Sequence, residues 1–194
     1  MILLESTLNN IPIMGVQTGS ELAQLSTAII DPATLSIVAY VVSGRLLTRH
    51  PSYLRIADIR ELSDIGVIID SIDEFIEPGD VIKIDEIVRL QFALTDMRVR
   101  DEKGTNLGKV VDFTIDTGSF YIQQLTVRRP LMRSLTDTEL LVHRTQIIEI
   151  NDKAIVVHSQ AKAPEPERTE VVGSYVNPFR KPDSVTDTIN QAQS

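Results

Sequence analysis

The side chains in this chain that could do chemistry are three histidines and two aspartates at matching places. The histidines are His50, His143 and His158, and the chain has no cysteine. A histidine metal site would need carboxylates at ligand spacing, and the sequence gives no such spacing. Asp31 and Asp116 open Asp-Pro and Asp-Thr-Gly turns, where the side chain accepts hydrogen bonds from backbone N–H groups. We therefore predict no catalytic residue, no metal site and no cofactor.

Motifs typical of enzymes are also missing from the sequence. It contains no G-x-S-x-G elbow, no phosphate-binding glycine loop and no H-E-x-x-H helix motif, and each of these places a nucleophile, a phosphate or a metal. We expect the protein not to be an enzyme.

Arginine collects in two loops that are candidates for binding a partner. The candidate residues of these loops are Arg45, Arg49, Arg128, Arg129, Leu131, Met132 and Arg133. Arginine beside leucine or methionine suits docking onto an acidic protein, RNA phosphates or an anionic membrane surface. The alternative is that these arginines pair with the carboxylates of the acidic segment 72–90 or only solvate long loops.

Composition narrows the class of protein. The chain has 194 residues, of which 42% are hydrophobic, and its formal net charge is −8. That charge disfavours broad contact with a phosphate backbone. The first residues lack a basic stretch typical of a signal peptide, and no apolar run approaches the roughly 18–20 residues of a membrane-spanning helix. We expect a cytoplasmic protein, with membrane contact only at the periphery.

The elements that position these residues repeat along the chain. Thr18–Val42 resembles Lys103–Val127 at a constant offset of 85 residues, and Leu54–Ile69 resembles Val142–Val157 at an offset of 88. At these offsets Gly19 matches Gly104, Asp31 matches Asp116, and Ile59 matches Ile147. Such self-similarity is typical of a duplicated structural unit.

Each unit consists of short apolar runs between turn residues. In the second unit the predicted strands are 97–100, 107–115, 120–127, 140–142, 146–150 and 154–158. Short strands at this spacing are typical of a small antiparallel barrel. The glycines at 19 and 104 are expected to supply a positive φ in their turns.

An acidic linker, residues 72–90, separates the two units. Pro78-Gly79-Asp80 predicts a turn that feeds the N-cap of a short helix. Val81, Ile84 and Val88 would share one face of that helix, although residues 81–85 could also alternate as a strand.

From residue 161 to 194 the composition changes to prolines and mixed charges, which cannot form a core. We predict a disordered C-terminal tail. Within it an apolar and cationic island is a candidate docking peptide, the alternative being a chance phenylalanine in a disordered terminus. The candidate residues of the island are Asn177, Pro178, Phe179 and Arg180.

The second unit resembles the PRC-barrel family. The residues that carry the resemblance are Gly104, Leu107, Gly108, Val110, Asp112, Ile115 and Asp116, followed by Ile147, Ile150, Asp152, Ile155 and Val157. The first unit departs from this pattern at Ala23 and Thr27. The family is similar to the cytoplasmic domain of the reaction-centre H subunit and to the C-terminal domain of the ribosome maturation factor RimM. The resemblance implies a docking module rather than an enzyme.

The predicted fold class is all-β, with two tandem small antiparallel β-barrels of PRC-barrel type. The predicted boundaries are 8–71 and 91–160 for the two repeats, with the linker between them and the tail after them. The function expected is a non-enzymatic adaptor or scaffold for a protein partner. The alternatives are an RNA- or ribosome-associated factor resembling RimM and a peripheral membrane adaptor. An exposed edge strand would also allow a homodimer.

Overall fold

Two open β-sheets build the part of the chain that the computed structural model describes, residues 1–130 and 138–159. The strands are β1 Ile2–Leu4, β2 Pro12–Gly15, β3 Ser20–Asp31, β4 Ser36–Ser43, β5 Ser52–Arg55, β6 Glu61–Ser63, β7 Gly66–Ile69 and β8 Phe75–Ile76, then β9 Arg98–Asp101, β10 Asn106–Asp116, β11 Ile122–Arg128, β12 Glu139–His143, β13 Ile147–Ile150 and β14 Ala154–Val157. One α-helix, α1, spans Ile82–Arg89 within the described residues. The predicted tail, 161–194, lies outside the described residues.

The two sheets connect their strands in the same order. The first sheet runs β6-β7-β2-β3-β4-β5-β8, and the second runs β12-β11-β10-β9-β14-β13 with β1 added beside β10. If β8 and β1 are set aside, each sheet contains the same path of six strands. The β-rich prediction is confirmed.

The prediction of closed antiparallel barrels is wrong for both sheets. In the second sheet β12 and β13 are the two ends of the path and do not pair. The 3-10 turn Arg144–Gln146 carries the chain between them, and the turn Ile56–Asp58 does the same between β5 and β6. Neither turn forms the tight hairpin that would hydrogen bond the two strands. The sheets are also mixed, because β2 pairs with β7, and β9 with β14, in parallel.

The sheets meet at two matching turns. The Ile37 N–H donates to the Phe120 carbonyl at 2.9 Å, and the Ile122 N–H donates to the Leu35 carbonyl at 3.1 Å. Leu35 and Phe120 both have positive φ, 51° and 56°, and both are buried. The contact is therefore reciprocal, with each turn donating to and accepting from the other.

A single hydrophobic core joins the sheets. It includes Ile13, Leu25 and Ile37 from the first sheet with Val110 and Ile122 from the second, and each of them is fully buried. Burial of this continuous apolar surface is the main stabilising contribution, at roughly 25 cal/mol per Å².

Helix α1 covers the outer face of the first sheet. Ile84 and Ile87 pack against Ile29, Ala39 and Tyr53, so the predicted linking helix is confirmed. The N-cap expected from the Pro78-Gly79-Asp80 turn does not form. The N-cap residue is Val81 and makes no side-chain cap bond, because the Asp80 carboxylate instead accepts the Glu77 N–H at 2.7 Å.

Tyr40 introduces one polar group into the core. Its side chain is fully buried, and within the described residues its hydroxyl has no hydrogen-bond partner. An unsatisfied buried hydroxyl costs about 1–3 kcal/mol in desolvation. Burial, followed by the nearby Glu5 carboxylate, raises the pKa of Tyr40.

We expect Tyr40→Phe to stabilise the protein by about 1 kcal/mol, since it removes the buried hydroxyl and keeps the ring. The midpoint of urea unfolding measures the change. The matched control is Tyr121→Phe, at a ring that is 41% exposed. A loss of stability in Tyr40→Phe would mean that the hydroxyl is hydrogen bonded in solution.

Candidate partner-binding site

Three cations stand side by side on adjacent strands of the second sheet. Lys109 on β10 lies directly opposite Arg98 on β9 and directly opposite Arg128 on β11. Residues directly opposite each other share one face of a sheet, and all three side chains are exposed. We call Arg98, Lys109 and Arg128 the basic row.

The basic row is electrostatically unfavourable for the fold itself. Like charges directly opposite on neighbouring strands are destabilising, and among the described residues none of the three forms an ion pair. On β12, the Glu139 carboxylate lies opposite Arg128. In a chain with a net charge of −8, such a row has the chemistry of a site for an acidic ligand.

Gly108 sets the geometry at the centre of the row. Its φ is 145°, and a Cβ at this position would lie 2.1 Å from the Arg128 carbonyl oxygen. Only glycine allows the backbones of β10 and β11 to approach this closely. The register that places Lys109 opposite Arg128 therefore depends on this residue.

The predicted arginines of the first loop are in different environments. Arg45 and Leu46 are exposed and line an open groove of about 630 Å³ between the ends of β3 and β4. Arg49 instead donates to the Glu77 carboxylate at 2.5 Å. Arg45 thus remains a candidate for binding, while Arg49 is held by the acidic linker.

The second loop is only partly described. Arg128 belongs to the basic row, and the half-buried Arg129 donates its backbone N–H to the Thr138 carbonyl at 2.8 Å. The predicted residues Leu131, Met132 and Arg133 lie outside the described residues. So do Asn177, Pro178, Phe179 and Arg180.

The structure does not bring Arg45 of the first loop and Arg128 of the second together. An antiparallel bridge joins Ser36, at the start of β4, to Tyr121, just before β11. The two strands leave this bridge in opposite directions, so that the end of β4, before Arg45, and Arg128, the last residue of β11, lie at opposite sides of it. Arg45 and Arg128 therefore lie at separate places.

The segment that contains strands β9 to β14 matches a known domain family. Residues 92–163 match the family of PRC-barrel domains. The chain contains a PRC-barrel domain. No curated protein matches the chain significantly. All three residues of the basic row lie within the PRC-barrel domain.

The histidines of the PRC-barrel domain have local roles. The His143 Nδ1 accepts the Thr145 N–H at 3.3 Å and caps the 3-10 turn after β12. The His158 ring contacts the Glu102 carboxylate at 2.5 Å. Across residues 1–130 and 138–159, no group of three or more histidine or carboxylate side chains could hold a metal ion.

Asp116 and Asp31 organise turns, as predicted. In the PRC-barrel domain the Asp116 carboxylate accepts the Ser119 hydroxyl at 2.7 Å, and this hydrogen bond lowers the pKa of Asp116. The Asp31 carboxylate accepts the Ala33 N–H at 2.9 Å.

The carboxylates of Glu5 and Asp112 interact where the residues after β1 meet the PRC-barrel domain. The Ser6 hydroxyl donates to the Asp112 carboxylate at 2.5 Å. Burial, followed by the charge of Asp112, raises the pKa of Glu5 above its ordinary value of 4.5. The folded state therefore binds a proton at Glu5 more readily than the unfolded chain does.

We expect Glu5→Gln to stabilise the protein at pH 7. Because the folded-state pKa of Glu5 is raised, the wild type loses stability as pH rises from about 4.5 through that pKa. The advantage of the variant should disappear below about pH 4.5, where Glu5 is neutral in both states. Thermal unfolding at several pH values measures it, with the exposed Glu61→Gln as control. An advantage that is the same at every pH would contradict the explanation.

Sequence reasoning missed Arg98 and Lys109. The reason is that the basic row exists only in the register of β9, β10 and β11, and those strands are separated along the chain. The available signal was a cation inside each of two consecutive predicted strands, 97–100 and 107–115, and a third cation directly after the next one, 120–127.

Proposed function

We propose that the protein is a non-enzymatic binding protein that docks an acidic protein partner on the basic row. The observation that carries this proposal is the direct opposition of Arg98, Lys109 and Arg128 on three adjacent strands. A row of like charges that weakens the fold is explained by a ligand that neutralises it.

We further propose that the first sheet is a second unit of PRC-barrel type, so that the chain is a tandem scaffold. Three observations support this proposal. They are the offset of 85 residues, the shared order of strands and the reciprocal contact between Leu35–Ile37 and Phe120–Ile122. The groove beside Arg45 and Leu46 then offers a second place for contact on the scaffold.

The chemistry of the row favours a short acidic protein segment over a polyanion. Neighbouring strands lie about 4.8 Å apart, so the three cations face two or three carboxylates of an extended peptide. Arginine binds a carboxylate with two parallel hydrogen bonds. A long nucleic acid or a charged membrane would also meet the surrounding chain, whose net charge of −8 repels it.

Lys109→Glu should raise the stability of the protein and weaken its binding of an acidic peptide. The new carboxylate would lie between Arg98 and Arg128 and convert repulsion into attraction, a gain of about 0.5–1 kcal/mol. We expect the affinity for a poly-glutamate peptide to fall at least about tenfold, or about 1.4 kcal/mol. Thermal unfolding and titration of the labelled peptide measure the two effects.

The matched control is Lys83→Glu on α1, an exposed residue whose reversal changes the net charge equally. The same titrations with an oligoribonucleotide and with vesicles containing anionic lipid test the two other partner classes. Binding of the ribonucleotide that depends on Lys109 would favour the RNA-associated function. Such binding of vesicles would favour the membrane adaptor. If Lys83→Glu weakens peptide binding as much as Lys109→Glu, the basic row is not the site.

A further inference from the structure

Strand β12 has an edge that its counterpart in the first sheet does not expose. In the first sheet β5 pairs with β4 on one side and with β8 on the other. In the second sheet β12 pairs with β11, and no other strand of the described residues pairs with it. An edge of this kind can pair with another chain.

The register shows which backbone groups face outward from β12. Arg129 lies opposite Thr138 and donates its N–H to the Thr138 carbonyl, so this pair is hydrogen bonded. Hydrogen-bonded pairs alternate along an antiparallel ladder. The N–H and C=O groups of Leu140 and Val142 therefore face β11. Those of Glu139, Leu141 and His143 face the open edge.

The side chains of β12 are complementary to a second copy of the same strand. When two copies run antiparallel about an axis at Leu141, Glu139 of each copy faces His143 of the other. Leu141, which is 53% exposed, then faces Leu141 of the other copy. A carboxylate opposite an imidazole and leucine opposite leucine are both favourable cross-strand pairs.

A local hydrogen bond holds the His143 ring by its Nδ1 atom. Its Nδ1 accepts the Thr145 N–H, so the neutral ring carries its proton on Nε2. That N–H can donate to the Glu139 carboxylate of the second copy. The His143 backbone N–H is used by the Gln146 Oε1 at 2.8 Å, while its carbonyl can accept the Glu139 N–H of the second copy.

We propose that two copies of this chain associate through their β12 strands, antiparallel and centred on Leu141. The two second sheets then form one continuous sheet across a two-fold axis. The pairing buries both Leu141 side chains, and each Leu141 amide donates to the other copy's Leu141 carbonyl. This dimer does not depend on the basic row, since none of its contacts uses Arg98, Lys109 or Arg128.

The absence of cysteine from the sequence allows a test of the register. In the full chain, Leu141→Cys places two sulfurs across the axis, where the Cα atoms of a hydrogen-bonded pair are about 5.5 Å apart. A disulfide can bridge that distance. The control Glu139→Cys places its two Cα atoms about 13 Å apart along the strands, beyond the reach of a disulfide.

We expect light scattering of the wild type to show concentration-dependent association towards twice 21.6 kDa. Under mild oxidation Leu141→Cys should form a covalent dimer, and Glu139→Cys should not. Leu141→Asp should shift the association to at least about tenfold higher concentration. Equal cross-linking of both cysteine variants would overturn the proposed register.

A wild type that stays monomeric at every concentration would overturn the dimer. A chain ending at Ser159 then identifies the occupant of the edge, since Met1–Ser159 is a compact unit with its own core. If only the shortened chain dimerises, residues after Ser159 cover β12 in the full chain, and the proposal fails for that chain.

Discussion

Replacing Gly108 by alanine should destabilise the protein by about 3–5 kcal/mol, because the change adds a steric clash to an unfavourable φ. The new Cβ would lie 2.1 Å from the Arg128 carbonyl oxygen, at a φ of 145°. Relief requires β10 and β11 to move apart at the centre of the basic row. A fall in Tm of roughly 10 °C, measured by calorimetry, is the expected result.

The control for this substitution is Gly104→Ala. Gly104 also has a positive φ, 79°, but a Cβ there would meet nothing within 4 Å. Its replacement by alanine should lower the free energy of unfolding only by the cost of a positive φ in a residue with a Cβ, about 1–2 kcal/mol. Equal losses in the two variants would show that φ alone, and not the approach of the strands, determines the cost at Gly108.

Replacing Ile37 by alanine should cost about 2–5 kcal/mol, as expected for a large fully buried side chain. Ile37 is 0% exposed and lies in the core that both sheets share. We therefore expect unfolding to remain a single transition. Hydrogen exchange should show the same loss of protection at Val110 in the second sheet as at Leu25 in the first.

The control is Ile65→Ala, at an isoleucine of the turn between β6 and β7 that is 80% exposed. It should change stability by less than about 0.5 kcal/mol. If Ile37→Ala lowers protection only in the first sheet, the two sheets unfold independently and the shared core does not couple them.

The positions of most strands and turns could be predicted from the sequence because they depend on local signals. Asp116 and the following turn fix the end of β10, and the offset of 85 residues relates Gly19 to Gly104. Both glycines have the predicted positive φ, 62° and 79°. These features depend on residues close together in the chain.

The first unit departs from the PRC-barrel sequence pattern at Ala23, and the structure explains this difference. Ala23 occupies the position that matches Gly108, and Gly44, directly after β4, lies close to it. A Cβ on Gly44 would lie 2.9 Å from the Ala23 Cα. The glycine needed for close approach has moved to the opposite strand, and one strand considered alone could not reveal this exchange.

The face that α1 covers was predictable only by comparing the two units position by position. Ile29 and Ala39 lie under α1, whereas the matching residues of the second unit are Thr114 and Gln124. The apolar pair indicates a covered face and the polar pair a solvated one. Barrel closure was not predictable in this way, because it depends on the path of the 3-10 turns between strands.

The sequence did not predict strand β1, because its partner strand β10 is distant in the chain. Ile2 pairs with Asp116, and Leu4 with Thr114. Nothing near residues 2–4 indicates that they belong to the second sheet.

This pairing has a consequence for the order in which the protein can form during its synthesis. A ribosome adds about 5–20 residues per second, so residues 2–4 leave it several seconds before their partner strand exists. The whole first sheet is made in that interval and can fold while β1 is still free. Addition of β1 to β10 is therefore a late event, which ties residues 2–4 to a strand that is synthesised only after the whole first sheet.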